Sequence, residues 1–210
     1  MCTVRRVGRR NRVTPVGEIV AIDLRGAWLG NRGQLHQGTE IVRSHRSQLW
    51  IVCVLQHKDW RLPQWQEGHF TVLFFHDEAV ALAAGHRPCA LCRRPAYEAY
   101  RDAWTTGLGE NRPSAKDMDR RLHGERLVRG TSRRRFHETP WPDVPPGAFV
   151  LHDDQPALVR ADALVPWTTT GYAAPRARPA RGTATMVTPP ATAAALAAGY
   201  TPQIDPGAGG

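Results

Sequence analysis

The 210-residue sequence predicts an α+β fold: a small cysteine-knuckle module of strands and short helices, carrying an appended small β unit and a C-terminal helix. Three observations predict it. Short apolar blocks and loose alternation between residues 13 and 75 read as strands. A Cys-x-x-Cys turn at Cys89 and Cys92 ends one short helical stretch and leads into a longer one. After residue 145, strand-like segments return and give way to one alanine-rich helix.

Residues 1–12, MCTVRRVGRRNR, form a basic arm that the sequence predicts to be flexible. Residues 13–60 read as β-rich. VGEIVAIDL alternates, the glycines of RGAWLGNRG mark turns, and EIVRSHRSQLWIVCVL gives two further apolar runs. A Pro/Trp loop covers 61–68, and HFTVLFF is another strand. The first helix runs from about Asp77 to Ala84, with Asp77 as its cap and Gly85 as its left-handed stop. A second helix starts near Pro95, with Tyr97, Tyr100, Arg101 and Trp104 at helical spacing; such a stripe is core more often than a base-stacking surface. A third covers Ser114–Leu127, with Ser114 and Asp117 placed as a capping box.

VRGTSRRRFHETPWPD follows, the densest basic stretch. Residues 145–172 read as a small β unit turning at Asp153-Asp154. Residues 173–183 look like a linker. The last helix is capped at Thr188, has Pro189 at its first position and stops at Gly199. ALAAGYTP at 195–202 echoes ALAAGHRP at 81–88, a shared helix-stop design. The predicted organisation is a basic arm (1–12), an α+β domain (13–130), a basic loop with a β unit and a C-terminal helix packed on it (131–200), and a disordered tail (201–210).

The cysteines carry the chemistry. Two thiolates two residues apart can point at one metal ion about 2.3 Å from each sulfur, because the turn between them is tight. Cys53 lies upstream with His57 four residues later, giving C-x3-H…C-x2-C, enough donors for one closed zinc site at Cys53, His57, Cys89 and Cys92. His86 is a rival ligand through H-x-x-C-x-x-C, and His69, His76 and Cys2 are further ones. Arg87, Arg93 and Arg94 flank the knuckle and favour thiolate over thiol. A redox dithiol or inert buried thiols are the alternative readings of the same pair.

The segment FFHDEAVALAAGHRPCALCRR resembles the metal-binding half-motif of the Ada-type alkylation-response module. Phe75, Glu78, Ala79, Ala84, Gly85, Arg87, Pro88, Cys89, Cys92 and Arg93 match it. The resemblance implies one zinc ion and a role on DNA. It also puts Cys53 at the position of that family's methyl-accepting cysteine. The earlier pair departs from the family, being Cys53 and His57 in place of two cysteines, and LWIVCVLQHKDW does not resemble the approach to a reactive thiolate. The whole chain also resembles an uncharacterised bacterial family with the pattern GHRPC-x-x-CRR…LPWT-x-x-GY…TPP, which implies no activity.

Composition bounds the partners. The net charge is +9, and only Lys58 and Lys116 are lysines, so the positive charge is almost all arginine. Planar guanidiniums suit phosphate, and nucleic acid is the expected polyanion. The candidate contacts are Arg87, Arg93, Arg94, Arg133, Arg134 and Arg135. No stretch approaches the roughly 20 apolar residues of a membrane span, and no apolar run follows the N-terminal arginines. A cytoplasmic, membrane-free protein is expected, with its four cysteines reserved for metal. No P-loop, G-x-G-x-x-G, H-E-x-x-H or G-x-S-x-G signature occurs, and no residue is assigned as catalytic. The expectation is a zinc protein that binds nucleic acid, DNA above all, in repair or regulation. The alternatives are an alkyl-accepting or zinc-dependent enzyme using Cys53 or an open zinc position, and a metal-sensing or protein-interaction module.

Overall fold

The computed structural model describes residues 9–61 and 63–208, and the fold is α+β. In chain order, strands β1 (Arg12–Val13), β2 (Ile19–Val20), β3 (Trp28–Asn31), β4 (His36–Gln37), β5 (Glu40–Ile41), β6 (Ile51–Cys53) and β7 (Leu73–Phe75) precede helix α1 (Glu78–Ala83) and strand β8 (Arg87–Pro88). Helices α2 (Arg94–Leu108) and α3 (Ala115–Arg126) follow. Then come β9 (His137–Pro140), β10 (Phe149–His152), β11 (Gln155–Val159), β12 (Ala163–Thr168), β13 (Gly171–Tyr172), β14 (Arg176–Ala177), β15 (Thr183–Met186) and helix α4 (Pro190–Ala197). Of the basic arm, residues 1–8 lie outside the described residues, while Arg12 and Val13 enter the sheet.

Two larger sheets organise most of these elements, and β4 pairs with β5 as a separate two-stranded sheet. The first has the order β2-β1-β7-β3-β6-β8 and the second β13-β12-β11-β10-β15-β9, with β14 also paired to β12. Val13, Val52, Leu73 and Phe75 bury one face of the first sheet. Gly30 is needed there, because a Cβ would strike the Phe75 ring. Asp153 and Asp154 both have positive φ, which closes the two-residue hairpin between β10 and β11 as expected.

Helix ends follow the sequence closely in most places. Asp77 Oδ1 accepts from the Val80 amide at 2.8 Å, and Ser114 with Asp117 forms the reciprocal box on α3. Gly85 takes φ +86°, and the amides of Gly85 and His86 donate to the carbonyls of Leu82 and Ala81. The same pair of bonds recurs at the end of α4, from Gly199 to Leu196 and from Tyr200 to Ala195. The echo between ALAAGHRP and ALAAGYTP is thus one helix stop used twice. The start of α4 differs from expectation. Thr188 Oγ1 accepts from the Phe149 amide instead of capping, and Glu125 Oε2 accepts from the Ala191 amide at 2.9 Å.

Two expectations about organisation are corrected. Across residue 130, Tyr100, Trp104 and Leu122 share one core with Trp141, Val150, Leu164 and Ala195. The segment 173–183 carries β14, and Arg178 donates to the carbonyls of Trp141 and Val144. Residues 201–208 are held in place, since the Gln203 and Asp205 amides donate to the carboxylates of Glu78 and Asp77. Those two carboxylates were legible only as the start of α1. Their second task, gathering the C-terminal segment together with Tyr172 and Tyr200, depends on contacts nearly a hundred residues or more away. No helix among the described residues is long and apolar enough to cross a membrane.

Candidate metal centre

The centre is assembled by one strand pairing. β8 lies parallel to β6 with Val52 opposite Pro88, and the Cys89 amide donates to the Val52 carbonyl at 3.0 Å. One residue beyond that pair, Cys53 and Cys89 stand side by side. The turn after β8 then returns Cys92 to the same point. The sulfurs of Cys53, Cys89 and Cys92 all lie within 4.8 Å of one another, close enough to hold a metal ion. Cys89 is buried, and Cys53 and Cys92 are half-buried.

The donors around the sulfurs favour one thiolate at the centre of the trio. The Cys53 thiol, then the Cys92 and Leu91 amides, draw the Cys89 pKa down to about 5 against the opposing effect of burial. The Leu91 amide lies 3.4 Å from Cys89 Sγ. Cys53 shifts strongly upward because its hydrogen bond to Cys89 and its burial both favour the thiol. Burial raises Cys92, while the Val54 amide opposes that rise. Three cysteine sulfurs this close form a soft donor set that could hold a metal ion.

The arginines expected to assist are committed elsewhere. Arg87 makes a two-pronged ion pair with Asp119, both bonds at 2.8 Å, and Arg93 pairs with Glu78 at 2.8 Å while lying over the Trp28 ring. Both are buried, so neither presents a guanidinium to a partner's phosphate. Arg94 is exposed and paired with Glu98. Arg133 and Arg135 are exposed, whereas Arg134 is half-buried and donates to the carbonyls of Ala83 and Ala84.

The histidines separate clearly. His57 is not one of the trio, but it lines the same small cavity of about 140 Å³ as the three cysteines, edge-on to Trp60 at 5.3 Å. Strand parity did not place it, because β6 ends at Cys53 and the chain bends away before residue 57. His86 is fully buried away from the sulfurs, between Phe75 and Trp50, and accepts from Arg32 Nε at 3.1 Å. His76 is buried 3.6 Å from Asp205, and His69 is exposed. Cys2 lies outside the described residues.

No family model, curated protein or solved structure matches the chain. The chemistry of the centre therefore rests on its own residues. Arg32 and Trp50, adjacent to this strand pair, were not singled out in the sequence. Only an excess of arginine over acid pointed toward them.

Proposed function

We propose that the protein holds one zinc ion through Cys53, Cys89 and Cys92, with His57 as the fourth ligand, and that it binds nucleic acid, DNA in particular, in repair or regulation. The convergence of the three sulfurs carries the metal reading. Two of them come from the knuckle and one from a strand more than thirty residues earlier. In this arrangement zinc would fasten β6 to β8 and so hold the first sheet against the start of α2. His57 suits the fourth position because it already faces the sulfur cavity.

The nucleic-acid reading is supported by the charge of +9 and by exposed arginines such as Arg129, Arg133 and Arg135 on one loop. Contacts of that kind fix position on a polyanion without reading sequence. The local resemblance to the Ada-type module supports the same reading.

The test is elemental analysis of protein purified without a metal-affinity tag, followed by DNA binding across a salt series. The reading requires about one zinc per chain, as a closed site of this type holds, and its loss in Cys89→Ser. It also requires DNA affinity that falls steeply with salt. Freshly reduced protein without zinc would remove the metal reading. A shallow salt dependence would favour a metal-sensing or protein-interaction module.

A second reading is an alkyl acceptor or a zinc-dependent enzyme, favoured by the cavity that opens against the sulfurs. Methyl transfer to Cys53 would appear in the intact mass after incubation with methylated DNA, as a methyl group replacing one hydrogen.

A further inference from the structure

Upstream of the cysteines, the same two strands lead away from a second, larger cavity. It has a volume of about 980 Å³ and is lined by Arg10, Gly17, Arg32, Arg43, Trp50 and Arg134 among others. Positive charge concentrates at and behind its floor. Arg32, 1% exposed, lines the cavity, and Arg126 is fully buried behind the lining; each guanidinium lies 4.0 Å from the centre of the Trp50 ring. Arg134 reaches in beside Gly17, whose missing side chain leaves room for it.

None of these three arginines has a carboxylate within 4.0 Å among the described residues, although Glu18 and Asp154 stand on the cavity wall. Every acceptor they reach is neutral. Arg126 donates to the carbonyls of Gly85 and Gln48, and Arg134 to those of Ala83 and Ala84. Arg134 thereby caps the C-terminal carbonyls of α1, and Arg126 ties the turn after that helix to the loop before β6, which accounts for their presence. Arg32 has no such explanation. Its Nε donates to His86 and one terminal nitrogen to the Gly17 carbonyl, while the other terminal nitrogen is buried with no partner. His86 cannot serve as counterion, because an imidazole that accepts from Arg32 is neutral at that nitrogen.

A buried guanidinium without an anion is costly, and one placed on a cavity wall is set to receive an anion. We propose that this cavity binds the phosphate of a phosphate monoester, carried by a free nucleotide or by the terminal phosphate of a nucleic acid, with Arg32 as the deep contact and Arg43 and Arg133 at the rim. A dianion suits the site better than a carboxylate because several guanidiniums converge there and a planar fork can take two oxygens at once. The volume accommodates a nucleotide, and Phe136 on the wall offers a face for a base. The proposal goes beyond the metal reading and does not depend on it.

Calorimetry on the full-length, metal-replete protein at constant ionic strength tests it, with inorganic phosphate, a 5′-mononucleotide, the parent nucleoside, and matched oligonucleotides ending in 5′-phosphate or 5′-hydroxyl as probes. The mononucleotide should bind saturably and the nucleoside should not. Arg32→Gln should weaken binding by about tenfold or more, the loss expected for a charge-assisted contact. Should Arg32→Gln fail to fold, Arg43→Gln, an exposed rim variant, should still weaken binding by about threefold or more, the loss of one weaker surface charge contact. Arg120→Gln, on the exposed face of α3 and outside this cavity, should change mononucleotide binding little.

A 5′-phosphorylated oligonucleotide that outcompetes the mononucleotide would identify a nucleic-acid end as the source. The reverse order would identify a free nucleotide. Absence of saturable binding by any phosphate probe overturns the proposal. So does binding that neither Arg32→Gln nor Arg43→Gln weakens.

Discussion

Val52 and Pro88 pair in parallel across β6 and β8, and this one register sets two sites at once. Downstream of the pair it brings Cys53 beside Cys89. Upstream it brings Trp50 beside His86, with ring centres 5.1 Å apart, at the floor of the arginine cavity. Whatever ties β6 to β8 therefore supports both.

The first consequence concerns metal removal. With zinc bound by the trio, Cys53→Ser and Cys89→Ser should each lose the metal and lower the melting temperature, and chelation of the wild type should do the same. Hydrogen exchange should report the loss first in residues 50–100, where β6, β8 and the start of α2 meet. Unchanged stability after verified metal removal would count heavily against a structural ion, because ligand binding to the native state alone must stabilise it.

His57 separates a closed site from an open one. His57→Ala should leave the cysteine trio intact and the fold stable, but weaken zinc affinity, read by competition with a chromogenic chelator. His86→Ala should not change zinc affinity directly, since His86 faces Arg32 and two aromatic rings. An unchanged affinity in His57→Ala would leave the fourth position open to solvent or substrate.

The buried ion pair between Arg87 and Asp119 gives the largest expected stability change. Both side chains are nearly inaccessible, and the two hydrogen bonds satisfy both carboxylate oxygens. Asp119→Ala strands a buried guanidinium and should cost about 3 kcal/mol or more in chemical denaturation. Arg94→Ala, whose side chain is 65% exposed, should cost under about 1 kcal/mol.

How much of this was readable from the chain depends on the range of the interaction. Asp77, Ser114 and Gly85 were legible because capping is settled within four residues. Cys89 and Cys92 were legible for the same reason. Cys53 could be named as a candidate but not placed, because its position depends on the register of a strand pair thirty-six residues apart in sequence. The arginines were misjudged for the corresponding reason. Arg87 and Arg93 read as surface charge beside a knuckle, and only the tertiary partners Asp119 and Glu78 show them to be buried. Arg32 gave no local signal at all, since a guanidinium packed on Trp50 looks in sequence like any other arginine.

Gly85 carries a further prediction. Its φ of +86° is costly for any residue with a side chain, and a Cβ there would sit 2.6 Å from Arg126 Cδ. Gly85→Ala should therefore destabilise the protein by about 2 kcal/mol or more, combining backbone strain with displacement of a packed guanidinium. Gly199→Ala has the same kind of backbone, at φ +100°, but meets no neighbour within 4 Å. It should cost only the conformational part, about 1 kcal/mol. Equal effects at the two positions would show that the Arg126 contact contributes nothing.

Acid sensitivity should centre on His86. Burial, and then the charges of Arg32, Arg126 and Arg134, hold its pKa well below the ordinary histidine value of 6.5. Below that value the unfolded chain takes up a proton that the folded chain refuses, so the unfolded state binds more protons and stability falls as the pH drops. The contribution is fully present above about pH 6.5 and is lost on acidification through the window beneath it. His45 and His123 shift in the same direction, with burial as the first cause. His86→Gln keeps a neutral acceptor for Arg32 but cannot titrate. Denaturation measured at pH 7, 6 and 5 should show a shallower loss in that variant. The difference from wild type should approach at most about 1.4 kcal/mol per pH unit, the value for one proton. Protonation of His45, His123 and the metal ligands occurs in both proteins and cancels in the comparison. Parallel pH profiles would show that His86 is protonated inside the fold, which its hydrogen bond from Arg32 opposes.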